Sequence, residues 1–224
     1  MKRLLILLAA LTALVGCSRH KGYIALTFDD GPSSTTMEIL DVMEEFGARG
    51  SFFVIGSNIN DKSAEAMQRA VEMGCQVENH SFTHPHMTEL DSDARRDEMA
   101  LTSAAITKYL EREPQFFRAP YIDEDEQLHR IIPLIFIGGY CPRDWDAAVS
   151  VEQRVEGLMT NAADGQIFLL HDFEGNGATA ETLRQAIPAL QKEGYKFVTV
   201  SELFQQQKIT PRKGIRYDMV VEEE

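Results

Sequence analysis

Short apolar runs alternate along the chain with stretches in which apolar residues recur at helical spacing. The apolar runs predict strands over Tyr23–Phe28, Ser51–Ile55, Gln76–Glu78, Phe116–Arg118, Leu134–Ile137, Gln166–Leu170 and Lys196–Val200. The helical spacing predicts helices over Thr36–Phe46, Ala64–Met73, Asp91–Leu110, Val151–Ala162 and Ala180–Glu193, with a last turn from Ser201. Strands that alternate with helices in this way favour parallel pairing within one sheet.

Roughly seven repeats of strand then helix favour an α/β fold with a closed or nearly closed (β/α) barrel over an open sheet. No linker rich in Gly, Ser or Pro interrupts residues 22–207, and 44% of the full chain is hydrophobic, so we predict a single domain there. Residues 208–224 end in three glutamates and show no clear period. They therefore predict a loosely held C-terminal tail.

The N-terminus has the pattern of a secretion signal. Lys2 and Arg3 precede the apolar run Leu4–Val15, which ends at Gly16 and Cys17. This run is shorter than the roughly 20 apolar residues that a membrane-spanning helix needs. The four residues that end at Cys17 resemble the bacterial lipoprotein box, which implies removal of residues 1–16 and a lipid anchor on Cys17. The alternative is an ordinary signal peptide with an incidental cysteine.

The lipoprotein interpretation predicts an exported protein that is anchored in the bacterial envelope, with residues 17–21 as a short tether. Ser18 and the lack of nearby acidic residues favour the outer membrane, facing the periplasm. Removal of Lys2 and Arg3 with the signal changes the formal net charge from −13 to −15. Such a negative surface repels phosphate backbones, so we expect a neutral substrate and no nucleic-acid partner. No feature of the sequence indicates an oligomeric state.

Polar side chains cluster directly after the predicted strands. Seven of them follow the first, third, fifth and sixth strands in turn, and one ends the fourth: Asp29, Asp30, His80, His84, Asp144, Trp145, His171 and Arg118. In barrels of this type, the loops at the C-terminal ends of the strands build the functional site. We therefore expect these side chains to meet at one mouth of the barrel.

Two short segments offer ligands for a metal ion. Asp29 and Asp30 are adjacent acids at a strand end, so one carboxylate can bind metal while the other takes a proton; an Asx-type turn is the alternative. His80 and His84 lie four residues apart, and on a helical turn both imidazoles would reach one ion, although a surface turn with incidental histidines has the same spacing. Two histidines and one carboxylate leave coordination positions open for water and substrate.

Five motifs, TFDDGP, HSFTH, RAPY, RDW and LLHD, resemble in order and spacing the NodB-type polysaccharide deacetylases of carbohydrate esterase family four. The resemblance extends from Tyr23 to about Gln206. It implies a distorted (β/α) barrel that removes acetyl groups from sugars with a divalent metal, usually Zn²⁺, with Co²⁺ or a similar ion as an alternative. The metal ligands by resemblance are Asp30, His80 and His84. Asp29 is then the general base, Arg118 its holding partner and His171 the general acid.

The chemistry of acetyl transfer to water suggests roles for further residues. A tetrahedral oxyanion needs donors, which a backbone N–H near Tyr121 can supply. Asp144 is a reasonable partner for the His171 imidazole. Trp145 and Leu169 offer apolar walls for a sugar face and an acetyl methyl, with ordinary core packing as the alternative. Among the other histidines, His86 is expected to support the site, and His20 and His129 to lie at the surface.

The sequence favours, but does not fix, one substrate class. The run from Asn79 to Met87 is similar to that of members which de-acetylate xylan, so we expect an O-acetyl ester. The alternative is N-acetylglucosamine in chitin fragments or peptidoglycan, and a second alternative is a glycan-binding lipoprotein without catalysis. Two positions depart from the family pattern, Ile122 in place of Gly and Cys141 in place of an acid. Cys75 and Cys141 could pair or stay free.

Overall fold

A computed structural model of the chain describes residues 20–221. The predicted signal segment and Cys17 lie outside these residues. The strands are β1 (Gly22–Asp29), β2 (Gly50–Val54), β3 (Gln76–Asn79), β4 (Phe116–Phe117), β5 (Ile135–Ile137), β6 (Gln166–His171), β7 (Tyr195–Phe197) and β8 (Arg216–Tyr217). The helices are α1 (Ser34–Glu45), α2 (Ala64–Glu72), α3 (Ser92–Leu110), α4 (Glu126–Ile131), α5 (Val151–Thr160), α6 (Gly177–Glu193) and α7 (Val200–Gln206).

All strand pairs in the sheet are parallel, and the sheet curls into a distorted barrel. The strand order is β6, β1, β2, β3, β4, β5, β8, with β7 beside the first residues of β1. Closure depends on Tyr140, which follows β5 and lies opposite Phe168 of β6. Its N–H donates to Ile167 O and its carbonyl accepts from Leu169 N, each at 2.9 Å. The predicted barrel of about seven parallel strands is confirmed, and β8 is an addition to it.

The strands alternate between two cores, as the period of two predicts. Phe28, Phe52 and Phe168 point outward and pack under the helices, each at most 1% exposed. The neighbouring inward residues form a second core, which α7 extends at the N-terminal ends of the strands; it includes Ala25, Phe53, Phe116, Ile137, Ile167, Leu203 and Phe204. Apolar packing fills most of the lower half of the barrel, where the polar Ser51 and Gln76 are hydrogen-bonded to α7, and another set of inward polar side chains lies at the opposite mouth.

Most predicted elements are confirmed with boundary shifts of one to three residues. The capping box at Ser150 and Gln153 is present at the start of α5. The predicted strand Lys196–Val200 is too long, because Thr199 caps α7 with its side chain and β7 ends at Phe197. Helix α4 was not predicted, since it is only six residues long.

The prediction of a loosely held tail is wrong for residues 208–221. Arg216 and Tyr217 of β8 pair with Phe136 and Ile137 of β5. Val220 is fully buried in the inward core, and its N–H donates to Gly165 O at 2.8 Å. The strand β8 lies at the sheet margin, where Val220 is buried in the core and Ile209 and Tyr217 pack against it.

Cys75 and Cys141 are both free thiols, the first buried and the second half-buried. Among residues 20–221, none of the helices combines the length and apolar character needed to cross a membrane.

Candidate active site

The first strand ends in two acids whose side chains diverge. Asp29 continues β1 and faces the barrel interior, only 2% exposed. Asp30 adopts a left-handed backbone with φ of 77°, which turns its carboxylate toward the third strand. The Gly31 N–H donates to the Asp172 side chain at 2.9 Å, and Asn58 Nδ2 donates to Asp30 O at 2.9 Å. These contacts hold the turn, so the two carboxylates face different partners.

Asp29 forms a buried ion pair with Arg118, whose Nη1 lies 2.6 Å from Asp29 Oδ1. Arg118 is fully buried, and its Nε and Nη2 donate to Ile137 O and Gly138 O at 3.0 and 2.7 Å. The guanidinium also lies 4.2 Å from the centre of the Phe53 ring. Because these contacts fix Arg118 on three sides, its charge is directed at one carboxylate oxygen of Asp29.

Asp30, His80 and His84 form a compact cluster of metal-ligand type. Asp30 Oδ1 lies 3.4 Å from His80 Nε2 and 3.2 Å from His84 Nε2. Burial would raise the pKa of Asp30, but the two imidazoles outweigh it and lower that pKa below its usual range. His86 is not part of this cluster; its side chain is half exposed and points to Asp123.

The two histidines do not share a helical turn, contrary to the geometric expectation from their spacing. Residues 80–84 form an irregular loop in which Ser81 and His84 have positive φ. The Glu98 carboxylate, from α3, accepts the N–H groups of Phe82 and Thr83 at 2.7 Å each. This anchored loop brings the imidazole centres within 5.0 Å of each other.

The donor set fits a divalent cation. Asp30 Oδ1 is buried and has no hydrogen-bond partner among the described residues, which is costly for a carboxylate oxygen without a counter-ion. His80 Nδ1 lies 2.7 Å from Arg118 O and must donate to that carbonyl, so the lone pair of Nε2 faces Asp30. Two imidazole nitrogens and one carboxylate oxygen suit Zn²⁺, Co²⁺ and related ions.

A second pair at the mouth joins His171 to Asp144. His171 Nδ1 lies 2.8 Å from Asp144 Oδ1, and the His171 backbone N–H donates to Oδ2 at 2.7 Å. Burial alone would lower the pKa of His171, but the hydrogen bond and charge of Asp144 outweigh it and raise that pKa above its ordinary value. With Nδ1 committed to Asp144, Nε2 is the nitrogen available to a substrate.

Two residues that sequence reasoning missed support this pair. Thr179 is fully buried at the start of α6 and donates to Asp144 Oδ2 at 2.8 Å. Asn176 donates to Thr179 Oγ1 at 2.9 Å and to His171 O at 3.0 Å. A polar pair spaced three residues apart at a helix start was the available signal, but the same pattern is typical of an ordinary helix cap.

The residues proposed to contact substrate differ in exposure. Tyr121 and Trp145 are 62% and 53% exposed, so neither belongs to the core, whereas Leu169 is buried inside the barrel next to the mouth. Tyr121 stacks on His86 with ring centres 4.2 Å apart. His20 is exposed, but His129 is not the surface residue we expected, because it packs 4.0 Å from the Phe136 ring and is 15% exposed.

A groove of about 920 Å³ opens beside the Asp30 and His84 side of the cluster. Its lining combines apolar side chains with amides, hydroxyls and carboxylates, and includes Pro32, Met37, Ile55, Asn58, Phe173 and Glu174. A lining of this kind suits a neutral, hydroxyl-rich ligand.

The polysaccharide deacetylase family matches residues 17–133. The chain is 43% identical over 194 residues to a bifunctional xylanase/deacetylase of Pseudobutyrivibrio xylanivorans, covering 87% of this chain but only 32% of that protein. It is 34% identical to a peptidoglycan-N-acetylglucosamine deacetylase of Bacillus cereus, covering 80% of this chain and 87% of that protein.

The fold is also similar to a solved structure of a family 4 acetyl xylan esterase from Clostridium thermocellum in complex with a cobalt ion. The TM-score is 0.86 and the identity 35%, over 88% of this chain and 98% of that one. The sequence match, the similar fold and the cluster of Asp30, His80 and His84 all indicate the same family. This chain belongs to the polysaccharide deacetylase family, the metal-dependent hydrolases of carbohydrate esterase family 4.

Proposed function

We propose that this protein hydrolyses O-acetyl esters on a neutral polysaccharide of the xylan type. The observation that carries the proposal is that a cluster of metal-ligand type and two ion pairs meet at one mouth. The cluster is Asp30, His80 and His84. One pair joins the acid Asp29 to Arg118, and the other joins the imidazole of His171 to Asp144. Two relatives, the xylanase/deacetylase and the acetyl xylan esterase, support the substrate class.

Asp30, His80 and His84 would hold the divalent cation, with Zn²⁺ as the proposed native ion. When bound, the cation would polarise the acetyl carbonyl and acidify a water molecule. The cobalt complex of the Clostridium relative supports a transition metal at this kind of site.

Asp29 is the proposed general base. Its Oδ1 is occupied by Arg118, whereas Oδ2 points toward the cluster and lies 3.8 Å from His80 Nε2. Because Arg118 holds Oδ1, the second oxygen Oδ2 is left to accept the proton of the attacking water. Arg118 acts through Asp29 and is a positioning residue.

His171 is the proposed general acid, with Asp144 as its partner. Asp144 stabilises the imidazolium, and Nε2 then delivers a proton to the departing sugar oxygen. The backbone N–H of Tyr121 is proposed to bind the oxyanion, while Trp145 and Leu169 form apolar walls for the sugar and the acetyl methyl.

The alternative substrate, N-acetylglucosamine in peptidoglycan or chitin fragments, is favoured by the Bacillus relative. Net charge disfavours the peptidoglycan form of this alternative, because the chain carries a formal −13 and would repel the carboxylates of the stem peptides, whereas neutral chitin fragments would not be repelled. A neutral xylan lacks this repulsion.

Acetate release from acetylated xylan, chitin oligomers and peptidoglycan, measured side by side with added zinc, tests the proposal. We expect xylan to be de-acetylated with the highest kcat/KM. A preference for either N-acetyl substrate would reassign the substrate. No release from any of the three, with glycan binding retained, would support the non-catalytic alternative.

We also propose that the mature protein is anchored to the bacterial outer membrane by lipid on Cys17, facing the periplasm. The support is the sequence pattern that ends at Cys17. Cys17→Ala should move the protein from the membrane to the soluble fraction of cells, as followed by sedimentation and immunoblotting. Unchanged membrane association would contradict the anchor without bearing on the enzyme activity.

A further inference from the structure

A thiol at the mouth has no part in the proposed reaction. Cys141 follows β5, is half-buried, and places its Sγ 3.7 Å from Asp144 Oδ1. That same oxygen lies 2.8 Å from His171 Nδ1. One ligand-type atom from each of Cys141, Asp144 and His171 thus falls within 4.8 Å of the other two.

The carboxylate of this trio is held in a fixed orientation. Asp144 Oδ2 accepts the backbone N–H of His171 and the hydroxyl of Thr179, at 2.7 and 2.8 Å. Rotation of the carboxylate would break both bonds, so Oδ1 remains directed at the thiol and the imidazole. Outer contacts of this kind are what pre-orient metal ligands.

We propose that Cys141, Asp144 and His171 form a second metal site, which takes a thiophilic divalent cation such as Zn²⁺ or Cd²⁺ and thereby inhibits the enzyme. In a tetrahedral site with bonds of about 2.0–2.3 Å, ligand atoms are about 3.3–3.8 Å apart. The Sγ to Oδ1 distance of 3.7 Å already fits. The 2.8 Å separation of Nδ1 and Oδ1 needs to open by about half an ångström, as their hydrogen bond is replaced by metal bonds.

The ligand set selects the class of cation. A thiolate with an imidazole and a carboxylate suits Zn²⁺ and Cd²⁺, whereas Mg²⁺ and Ca²⁺ prefer oxygen ligands alone. The cluster of Asp30, His80 and His84 contains no sulfur, so a sulfur-specific signal distinguishes the two sites.

Binding at the second site releases two protons and changes no oxidation state. The thiol of Cys141 loses its proton to solvent, and the His171 imidazolium loses the Nδ1 proton while Nε2 keeps its own. The ionised Asp144 and the thiolate then balance the two positive charges of the cation.

Inhibition follows because a cation and a proton cannot share Nδ1. With the cation in place the imidazolium cannot form, and His171 becomes a far weaker acid toward the leaving group. This consequence rests on the proposed role of His171, whereas cation binding itself does not.

A nucleophilic role for Cys141 is not supported by its surroundings. The sulfur contacts the carboxylate of Asp144, and burial together with that negative charge raises the pKa of the thiol to about 12. Alkylating reagents need a free thiolate and should therefore react slowly with Cys141. A cation binds by displacing the thiol proton itself.

The first test measures binding of Cd²⁺ alone, in full-length chains that all carry Cys17→Ala. Equilibrium dialysis should give two bound cations per chain, with an ultraviolet sulfur-to-cadmium charge-transfer band. Cys141→Ser should retain one cation and lose the band, whereas the matched control Cys75→Ser, which alters the buried thiol outside the site, should retain both. His171→Ala should also lose one cation. A band that survives in Cys141→Ser, or a single cation in the parent chain, would overturn the second site.

The second test compares turnover of a sugar acetate at excess Zn²⁺ with turnover at one equivalent, as a ratio within each chain. The parent ratio should fall at least about tenfold, since acid assistance is typically worth 10²–10⁴-fold. The ratio for Cys141→Ser should remain close to one. An equal fall in both chains would overturn the inhibitory role. Absence of acetate release from every chain would instead count against the proposed function, while the band and the stoichiometry would still decide the binding site.

Discussion

Asp29 and His171 lie at the same mouth but have partners of opposite charge. The Arg118 guanidinium contacts Asp29 at 2.6 Å, and the Asp144 carboxylate contacts His171 at 2.8 Å. Arg118 occupies one carboxylate oxygen of Asp29 and leaves the other facing the cluster, while Asp144 raises the pKa of His171 and so favours the protonated imidazole. The mouth therefore offers a carboxylate oxygen to the attacking water and an imidazole that can be protonated to the leaving group, and hydrolysis of an ester with a poor leaving group needs both.

Substrates with different leaving groups should separate these two roles. His171→Ala should reduce kcat for a sugar acetate by about 10²–10⁴-fold, but spare much of the hydrolysis of an aryl acetate, whose low-pKa alcohol departs without protonation. Asp29→Asn should reduce both rates, because each substrate needs an activated water. Steady-state kinetics with metal content measured in parallel checks this. Equal losses on the two substrates for His171→Ala, at unchanged metal content, would show that His171 is not the leaving-group acid.

At the scale of elements, the site depends on loops that side chains fix in place. Glu98 and Asn79 satisfy the backbone of the loop that carries His80 and His84. The spacing of the two histidines correctly indicated that they share a site, but it wrongly suggested a helical turn. The left-handed residues Ser81 and His84 lie in a loop whose N–H groups at positions 81–83 bind partners outside the motif, in the third strand and α3. Local spacing alone does not contain these contacts.

Strand β4 is only two residues long and is fastened to β3 by a buried carboxyl. Glu78 Oε2 accepts the N–H groups of Gln115 and Phe116 at 2.7 and 2.8 Å. Burial raises the pKa of Glu78 to about 8, although both backbone hydrogen bonds oppose that rise. The carboxyl is therefore protonated in the folded protein at a pH where it would be ionised in the unfolded chain.

This shift predicts how Glu78→Gln alters the pH dependence of stability. The raised pKa contributes to the free energy of unfolding. This contribution is fully present below about pH 4.5, declines as the pH rises, and is lost once the pH passes about 8. Glu78→Gln should therefore gain stability relative to wild type as the pH rises from 5 to 8, in urea unfolding of metal-free protein. Glu72→Gln, on the exposed side of α2, is the control and should follow wild type. Parallel curves for all three chains would contradict the assignment.

At the scale of the whole molecule, closure of the barrel involves segments that the sequence pattern did not mark. Tyr140 joins β5 to β6 by a single pair, and the tail adds β8 beside β5. The alternation of strands and helices was enough to predict the barrel, because each repeat carries its own periodicity. One-residue bridges and a two-residue strand are too short to produce a period, so neither could be predicted from it.

A substitution at Val220 tests whether packing of the tail stabilises the domain. Val220→Ala removes two buried methyl groups, and we expect a loss of about 1–3 kcal/mol in the free energy of unfolding, measured with urea. Val221→Ala is the matched control, since its side chain is 43% exposed and should cost less than about 0.5 kcal/mol. Small and equal effects at both positions would indicate a loosely held tail after all.

Some residues of the site could be predicted from the sequence, and others could not. Asp29, Asp30, His80, His84 and His171 all fall at or just after the C-terminal ends of strands, and parallel strands in one barrel bring such positions together. Thr179 was missed because its partner Asp144 lies 35 residues away in the sequence, and Asn176 because its local pattern is typical of an ordinary helix cap. Cys141 was recognised only as a departure from the family pattern, and its contact with Asp144 required the structure.

The central claim is that a divalent cation held by Asp30, His80 and His84 is needed to release acetate. Zinc content by mass spectrometry and acetate release should be measured on the same samples of wild type, His84→Ala and the neighbouring control His86→Ala, after chelation and again after addition of one equivalent of Zn²⁺. We predict that chelated wild type is inactive and recovers with zinc, that His86→Ala retains zinc, and that His84→Ala recovers neither zinc nor turnover. Full turnover by zinc-free wild type or by His84→Ala would contradict the claim.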